Sequence, residues 1–149
     1  MKSAATDMAP LPFSLSGYRF ERGVQAKEAF DEFRKSFAMS VYHYWERSIG
    51  SHCNVRGKKH AELVVAAKAS NIALDPRLNR IHRLANALKH NNTSSGTKLH
   101  EAWPQVFRSH FQPRQNTDWY SAITLPDQNI EDALDAVLNS GPRSKRPNA

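Results

Sequence analysis

The chain has 149 residues, 40% of them hydrophobic, which is enough for one domain with a single core. Its formal net charge of +7 favours an anionic partner, such as nucleic acid, an acidic protein or a membrane surface. The single cysteine, Cys53, excludes an internal disulfide and a zinc site built from several cysteines.

The N-terminal stretch has no apolar run of signal-peptide length, and no segment approaches the roughly 20 apolar residues of a membrane span. The sequence therefore predicts a cytoplasmic protein with no membrane partner. Residues 1–17 contain Pro10, Pro12 and Gly17 and show little periodicity. We expect them to form an irregular arm before a single helical domain over residues 18–140.

The first long helix is predicted from about Val24 to Ile49. Two apolar stripes run along it, and the first has the three-and-four spacing of a coiled-coil seam. The first stripe is Phe30, Phe33, Phe37, Val41 and Tyr44, and the second is Ala38, Tyr42, Trp45 and Ile49. We expect both stripes to lie in the core, which requires the helix to pack on more than one neighbour.

Residues 50–60 form a basic loop. Its candidate phosphate contacts are Arg56, Lys58 and Lys59. Its candidate metal ligands are His52, Cys53 and His60. These three residues lack the ligand pairs at fixed spacing that mark zinc sites, so no metal and no other cofactor is predicted.

The second and third helices follow the loop. The second is predicted from about Lys59 to Ala73 and is apolar nearly all round, which indicates a central position in the bundle. Asp75 and Pro76 fit the N-cap and first position of the third helix. This helix runs from Leu78 to about His90, where a run of Asn, Ser and Gly residues stops it.

The third helix separates into two faces when it is wound at about 100° per residue. Its apolar face is Leu78, Ile81, Leu84, Ala85 and Leu88, and its polar face is Asn79, Arg83, Asn86 and His90. Side chains at such spacing stack on one side of a helix, so Arg83, Asn86 and His90 are expected to converge on one small target. No acidic residue lies between Asp75 and Glu101, so this segment is strongly basic. Its residues Asn79, Arg80 and Lys89 are further candidate RNA or phosphate contacts, in addition to Arg56, Lys58 and Lys59.

The C-terminal third has weaker patterns. Residues Leu99–Phe111 predict a short helix broken at Pro104, and Trp119–Leu125 has the propensity of a strand. A last helix is predicted over about Gln128–Asn139, and residues 141–149 form a basic tail that we expect to be disordered. The predicted fold is therefore mainly all-α, with three main helices and a shorter C-terminal one.

Arg83, the six residues after it and His90, together with the local sequence LANALKHN, resemble the Arg-x4–6-His motif of the HEPN superfamily. The resemblance implies a small helical bundle and, as in many members, a metal-independent ribonuclease that serves as a toxin in toxin–antitoxin or anti-phage systems. It also implies a homodimer in which two protomers bring their motifs together. An acidic antitoxin or regulator would then be a partner besides RNA.

RNA cleavage without metal needs a base for the 2′-OH, a cation for the phosphate charge and an acid for the leaving oxygen. His90 is the predicted acid or base, Arg83 the phosphate-holding cation and Asn86 the orienting group. With one His90 in each chain, a two-histidine mechanism would need a second copy.

Two alternatives to this ribonuclease stay open. A HEPN-like module could bind RNA or a protein without catalysis. In that reading Arg83 is a structural ion-pair residue and His90 a helix cap. A basic DNA-binding or phage-encoded inhibitor protein could instead use a helix-turn-helix with its turn at residues 73–76.

Overall fold

The structure, a computed structural model, describes residues 15–143, with side chains from residue 19 onward. Within this range the chain forms α-helices and no β-sheet, so the predicted all-α fold is confirmed. The helices are α1 (Leu15–His52), α2 (His60–Ala69), α3 (Leu78–His90), α4 (Thr93–Ala102), α5 (Trp119–Ala122) and α6 (Asp127–Leu138), with a 3-10 turn at Pro104–Val106 between α4 and α5. None of the described helices is both long and apolar enough to cross a membrane.

The centre of the fold is α3, which contacts α1, α4, α5 and α6. Its predicted apolar face is fully buried, and Ala87 is buried beside it: Leu78, Ile81, Leu84, Ala85, Ala87 and Leu88. The helix ends at Asn91, which adopts the left-handed conformation with φ of 43° that suits a short polar side chain. Because one face of α3 is sealed in this way, its polar face is the part available for function.

Of the two apolar stripes of α1, only the second lies in the core as a whole: Ala38, Tyr42, Trp45 and Ile49 are buried. The expectation for the first stripe is wrong at three of its five residues, because Phe30 is 63% exposed, Phe33 66% and Tyr44 59%. Val41 is buried, and Phe37 packs against the core. Both stripes are equally apolar in the sequence, but α3 and the rest of the bundle cover one side of α1. The helix also begins at Leu15 rather than Val24, so residues 15–17 are helical and not irregular.

The expected central position of the second helix is also wrong. Only Leu63 and Ala67 of α2 are buried, while Val65 is 67% exposed, and the helix ends at Ala69. It packs beside α1 at the edge of the bundle. Its composition explains the difference, since a helix rich in alanine has little apolar area to remove from water.

The ends of α3 and α4 are set by side-chain hydrogen bonds. Asp75 accepts a 2.8 Å bond from the backbone N–H of Arg77, so it caps the turn that leads into α3 rather than the helix itself. The side chain of Asn92 accepts from the N–H of Ser95 at 2.9 Å and caps α4. A helix at Thr93–Ala102 followed by a 3-10 turn therefore replaces the predicted helix at Leu99–Phe111.

The strand propensity of Trp119–Leu125 does not produce a strand in the structure. Asp118 accepts from the N–H of Ser121 and starts the short helix α5. Only Ile123 pairs in a β fashion, in an isolated bridge with Phe107. The last helix is found within one residue of its predicted bounds, at Asp127–Leu138. The rest of the expected arm, residues 1–14, and residues 144–149 of the basic tail lie outside the described residues.

Candidate functional site

A cavity of about 580 Å³ lies where α1, α2, α3 and α4 meet. This volume is in the range of small-molecule pockets. All but one of its lining residues have polar side chains. They are Glu46 from α1, Lys59, His60 and Ala61 at the start of α2, Asn79, His82, Arg83 and Asn86 from α3, and Ser95 and Lys98 from α4. The cavity therefore joins part of the predicted polar face of α3 to residues distant in sequence.

Two imidazole rings lie against each other in this cavity. The centroids of His60 and His82 are 4.0 Å apart and the ring planes differ by 6°, so the rings are stacked. Tyr42 supports both rings, with centroid distances of 5.9 Å to His60 and 5.3 Å to His82. The packing fixes both ring planes, and each histidine is only half-buried, so part of each ring faces the open space.

A chain of polar groups orients His60. The Tyr42 hydroxyl lies 3.0 Å from His60 Nδ1, and Glu46 lies beside it, held by a 2.6 Å contact with His43 Nδ1. Burial and then the negative charge of Glu46 raise the pKa of Tyr42 above its usual range, so the phenol keeps its proton. With its proton donated to Glu46, the phenol oxygen can accept a bond only from an Nδ1–H of His60, and we assign this tautomer, which leaves the lone pair of His60 on Nε2.

His82 is held in the neutral form as well. The amide nitrogen of Asn86 lies 2.7 Å from His82 Nε2, and because an amide nitrogen only donates, Nε2 is the acceptor. Burial, and then the nearby positive charge of a protonated His60, lower the pKa of His82 to about 4. Burial also lowers the pKa of His60, against the opposing effect of Glu46. Both rings are therefore neutral near pH 7.

We expect these histidines to make the protein less stable in mild acid. The unfolded chain takes up a proton near pH 6.5, but folded His82 does so only near pH 4, so stability is lost as the pH falls through this interval. Because His82 is only half-buried, solvent screening reduces its contribution, and the loss should be on the order of 2 kcal/mol or less. Urea unfolding at pH 7 and at pH 4.5 measures it. His82→Gln should lose less stability between these two values, and equal losses in both proteins would contradict the assignment.

Three cationic side chains border the imidazole pair: Lys59, Arg83 and Lys98. Arg83 Nη1 donates a 3.0 Å bond to the backbone carbonyl of Lys98, which ties α3 to α4 and fixes one edge of the guanidinium. A guanidinium has five N–H donors, so the others are free for an anion. The cavity thus combines a neutral proton acceptor, His60, with positive charge that is held in place at Arg83, which suits a phosphodiester.

The predicted convergence of Arg83, Asn86 and His90 is found only in part. Arg83 and Asn86 line the cavity, together with the predicted contacts Asn79 and Lys59. His90 is exposed in the last turn of α3 and does not line it. The reason is that α4 begins at Thr93, only three residues after His90, so the chain changes direction at once. Ser95 and Lys98 of α4 then form the wall of the cavity beside Arg83 and Asn86, and His90 lies beyond that wall.

The other predicted phosphate contacts lie elsewhere. Arg80 approaches Asp132 at 3.4 Å, and its guanidinium lies 4.6 Å from the ring centre of Trp103, so it is a structural residue. Lys89 is exposed at the end of α3, away from the cavity. Arg56 and Lys58 line a neighbouring cavity of about 440 Å³, which shares Glu46 with the first.

Sequence reasoning missed the orienting groups of the site: Tyr42, Glu46, His60 and His82. One usable signal was present, since Tyr42 and Glu46, like His82 and Asn86, are polar pairs four residues apart on helices. His60 had no such signal. It was considered only as a metal ligand, and among residues 19–143 no group of three His, Cys, Asp or Glu side chains is placed to hold a metal ion.

Comparison with protein-family models, with curated proteins and with solved structures finds no match to this chain.

Proposed function

We propose that this chain is a HEPN-like, metal-independent endoribonuclease that acts in the cytoplasm, and that the scissile phosphate lies in the histidine cavity. The observation that supports this most is the combination of a neutral, oriented imidazole in His60 with the cations Lys59, Arg83 and Lys98 around one space. The net charge of +7 supports a polyanionic substrate.

In the proposed reaction, Nε2 of His60 takes the proton of the ribose 2′-OH. The 2′ oxygen attacks phosphorus, the bond from phosphorus to the 5′ oxygen breaks, and the leaving oxygen takes a proton from the ammonium group of Lys59 or Lys98. Arg83 binds the nonbridging phosphate oxygens, where negative charge grows in the transition state. The products are a 2′,3′-cyclic phosphate and a 5′-hydroxyl.

His82 has a positioning role in this proposal. Its Nε2 is occupied by the amide of Asn86, and its ring packs flat on His60. Rings that are stacked 4.0 Å apart cannot stand on opposite sides of one phosphate, so the pair does not divide the acid and base steps between them. The base is therefore supplied within one chain, and a second protomer is not required for it.

The biological role that fits such an enzyme is a toxin or anti-phage effector, as the resemblance implies. An acidic antitoxin or regulator would complement the positive charge around the cavity. The alternative DNA-binding function has less support, because residues 70–77 separate α2 from α3 and the apolar face of α3 is buried in the bundle. A recognition helix needs a short turn and an exposed face that can enter the major groove.

A non-catalytic RNA-binding module is the second candidate. The observation that favours it is that both imidazoles are neutral and His82 already has its hydrogen-bond partner, so the cavity has no histidine proton to give at pH 7. A module of this kind would bind the RNA backbone through Lys59, Arg83 and Lys98 and leave it intact.

We expect the purified chain to cut single-stranded RNA in the presence of EDTA and to leave 2′,3′-cyclic phosphate ends. The same sequence with 2′-deoxyribose at every position should bind and stay intact, because it lacks the nucleophile. Labelled oligonucleotides separated on a denaturing gel give both results. Binding of RNA without cleavage would favour the second candidate, and cleavage that stops with EDTA would contradict the proposed chemistry.

A further inference from the structure

The exposed side of α1 has a regular seven-residue pattern. From Gly23 to Tyr44, positions spaced alternately by three and four residues are small or aromatic. These positions, named here the α1 seam, are Gly23, Ala26, Phe30, Phe33, Phe37, Ser40 and Tyr44. This is the spacing of the contact positions of a coiled coil. The seam lies beside the stripe that packs in the core, and no described part of the chain covers Phe30 or Phe33.

The sizes of the seam residues match in an antiparallel pair of α1 helices. If Phe33 of one copy lies level with Gly23 of the other, then Phe30 lies level with Ala26 of that copy, and the two-fold symmetry repeats both contacts. A side chain at Gly23 would meet nothing within 4 Å in a single copy, so the space beside it is open to a ring. A parallel pair would instead place Phe33 against Phe33 and Gly23 against Gly23. Large rings would then crowd one end of the interface, and a gap would remain at the other end.

The charges near the seam also match a second copy. Asp127 and Glu131 of α6 line a groove of about 340 Å³ with Arg34 and the rings of Phe30, Phe33 and Phe37. Arg34 of the same copy already forms an ion pair with Asp127, so Glu131 is the carboxylate available to a second copy. In the antiparallel register, Arg19 of the second copy lies level with Phe37, next to Glu131. Opposite charges therefore meet at both ends of the pair, since the two-fold axis repeats the contact.

The exposed rings of the seam supply part of the apolar area that association needs. Phe30 and Phe33 are 63% and 66% exposed. At roughly 200 Å² for each ring, these two side chains offer about 260 Å² per copy and about 520 Å² per pair. Stable interfaces bury about 1,600 Å² in total, so the flanks of α1 and the exposed edge of α6 must contribute most of the contact.

We propose that two copies of this chain associate through the α1 seam as an antiparallel, two-fold symmetric dimer. This interface differs from the one expected at the polar face of α3, and it leaves the histidine cavity accessible. Glu46, on the wall of that cavity, follows Phe37 by nine residues and so lies about 180° from it around α1. Association and RNA cleavage can therefore be tested separately.

The full-length chain should sediment as a dimer at tens of micromolar, and Phe33→Glu should sediment as a monomer. Val65→Glu is the matched control, because Val65 is similarly exposed but lies on α2. Ala26→Phe is a second variant, which places a large ring opposite Phe30 of the other copy and leaves the core unchanged. It should also weaken the dimer, because two rings do not fit where a methyl group and a ring are expected to pack. A wild-type chain that is monomeric throughout this range overturns the proposal, and so does a Phe33→Glu variant that stays folded and dimeric.

Cysteine cross-linking tests the register. With Cys53→Ser as background, chains with Ala26→Cys should form disulfides with chains that have Phe30→Cys when the two are mixed under mild oxidation. Each variant alone should cross-link much less. Efficient cross-linking of each variant with itself would indicate a parallel pair and overturn the antiparallel register. Phe33→Glu should keep the cleavage rate of the wild type in the RNA assay.

Discussion

Arg83→Ala is expected to lower the rate of RNA cleavage by about 10²–10³-fold, which is the usual cost of removing one donor that stabilises transition-state charge. The guanidinium is held at one edge by the carbonyl of Lys98 and lines the same cavity as the imidazole pair. Arg83→Lys should recover part of the rate, because it restores the charge but not the paired N–H groups. Single-turnover cleavage of a labelled RNA measures both variants.

Lys89→Ala is the matched control for charge, since it removes one cation from the same helix but away from the cavity. It should reduce nonspecific RNA binding slightly and leave the rate at saturating protein unchanged. The melting temperature of Arg83→Ala should stay close to that of the wild type, because the variant loses one exposed hydrogen bond, worth about 1 kcal/mol or less. Equal rates for Arg83→Ala and Lys89→Ala would remove Arg83 from the proposed mechanism.

Gly96→Ala is expected to destabilise the fold by about 3 kcal/mol and to lower the melting temperature by roughly 10 °C. A methyl group at this position would overlap the indole ring of Trp119, which is itself only 1% exposed and cannot move into solvent. The overlap outweighs the gain of about 1 kcal/mol that alanine brings to a helix interior.

Calorimetry or urea unfolding measures the loss for Gly96→Ala. Gly141→Ala is its control, because a methyl group there would meet nothing closer than the Val137 carbonyl at 3.9 Å. That change should stay within about 0.5 kcal/mol of the wild type. A stable Gly96→Ala protein would mean that α4 does not pack on Trp119 as described, and the wall of the cavity formed by Ser95 and Lys98 would then be in question.

The bounds of the helices with one apolar face were predictable from the sequence. In α3 the burial pattern follows the helical period, so the buried side agrees with the prediction as well. In α6 only the bounds agree, because Leu138 is 71% exposed and the buried side chains are Asn129, Ala133, Ala136 and Val137. In α1 the stripes of Phe33 and Trp45 are equally apolar, and only the packing of the other helices decides which one is covered. Periodicity gives the direction of a side chain around its own helix and says nothing about which neighbour lies there.

The candidate site was predictable to the extent that it lies on one helix. Asn79, Arg83 and Asn86 share the polar face of α3, and the structure places all three in the cavity. His60 could not be assigned to them from the sequence, because its contact with His82 depends on how α2 packs against α1. The position of His90 outside the cavity depends in turn on the sharp start of α4 after Asn92.

The central claim is that the base for RNA cleavage is His60 in the cavity and not His90 at the end of α3. Cleavage rates of His60→Ala and His90→Ala, measured side by side in EDTA on the same RNA, test it most directly. Loss of a general base costs about 10²–10⁴-fold, so His60→Ala should lose that factor and His90→Ala should stay within a few-fold of the wild type. The opposite result, with His90→Ala inactive and His60→Ala active, would contradict the claim.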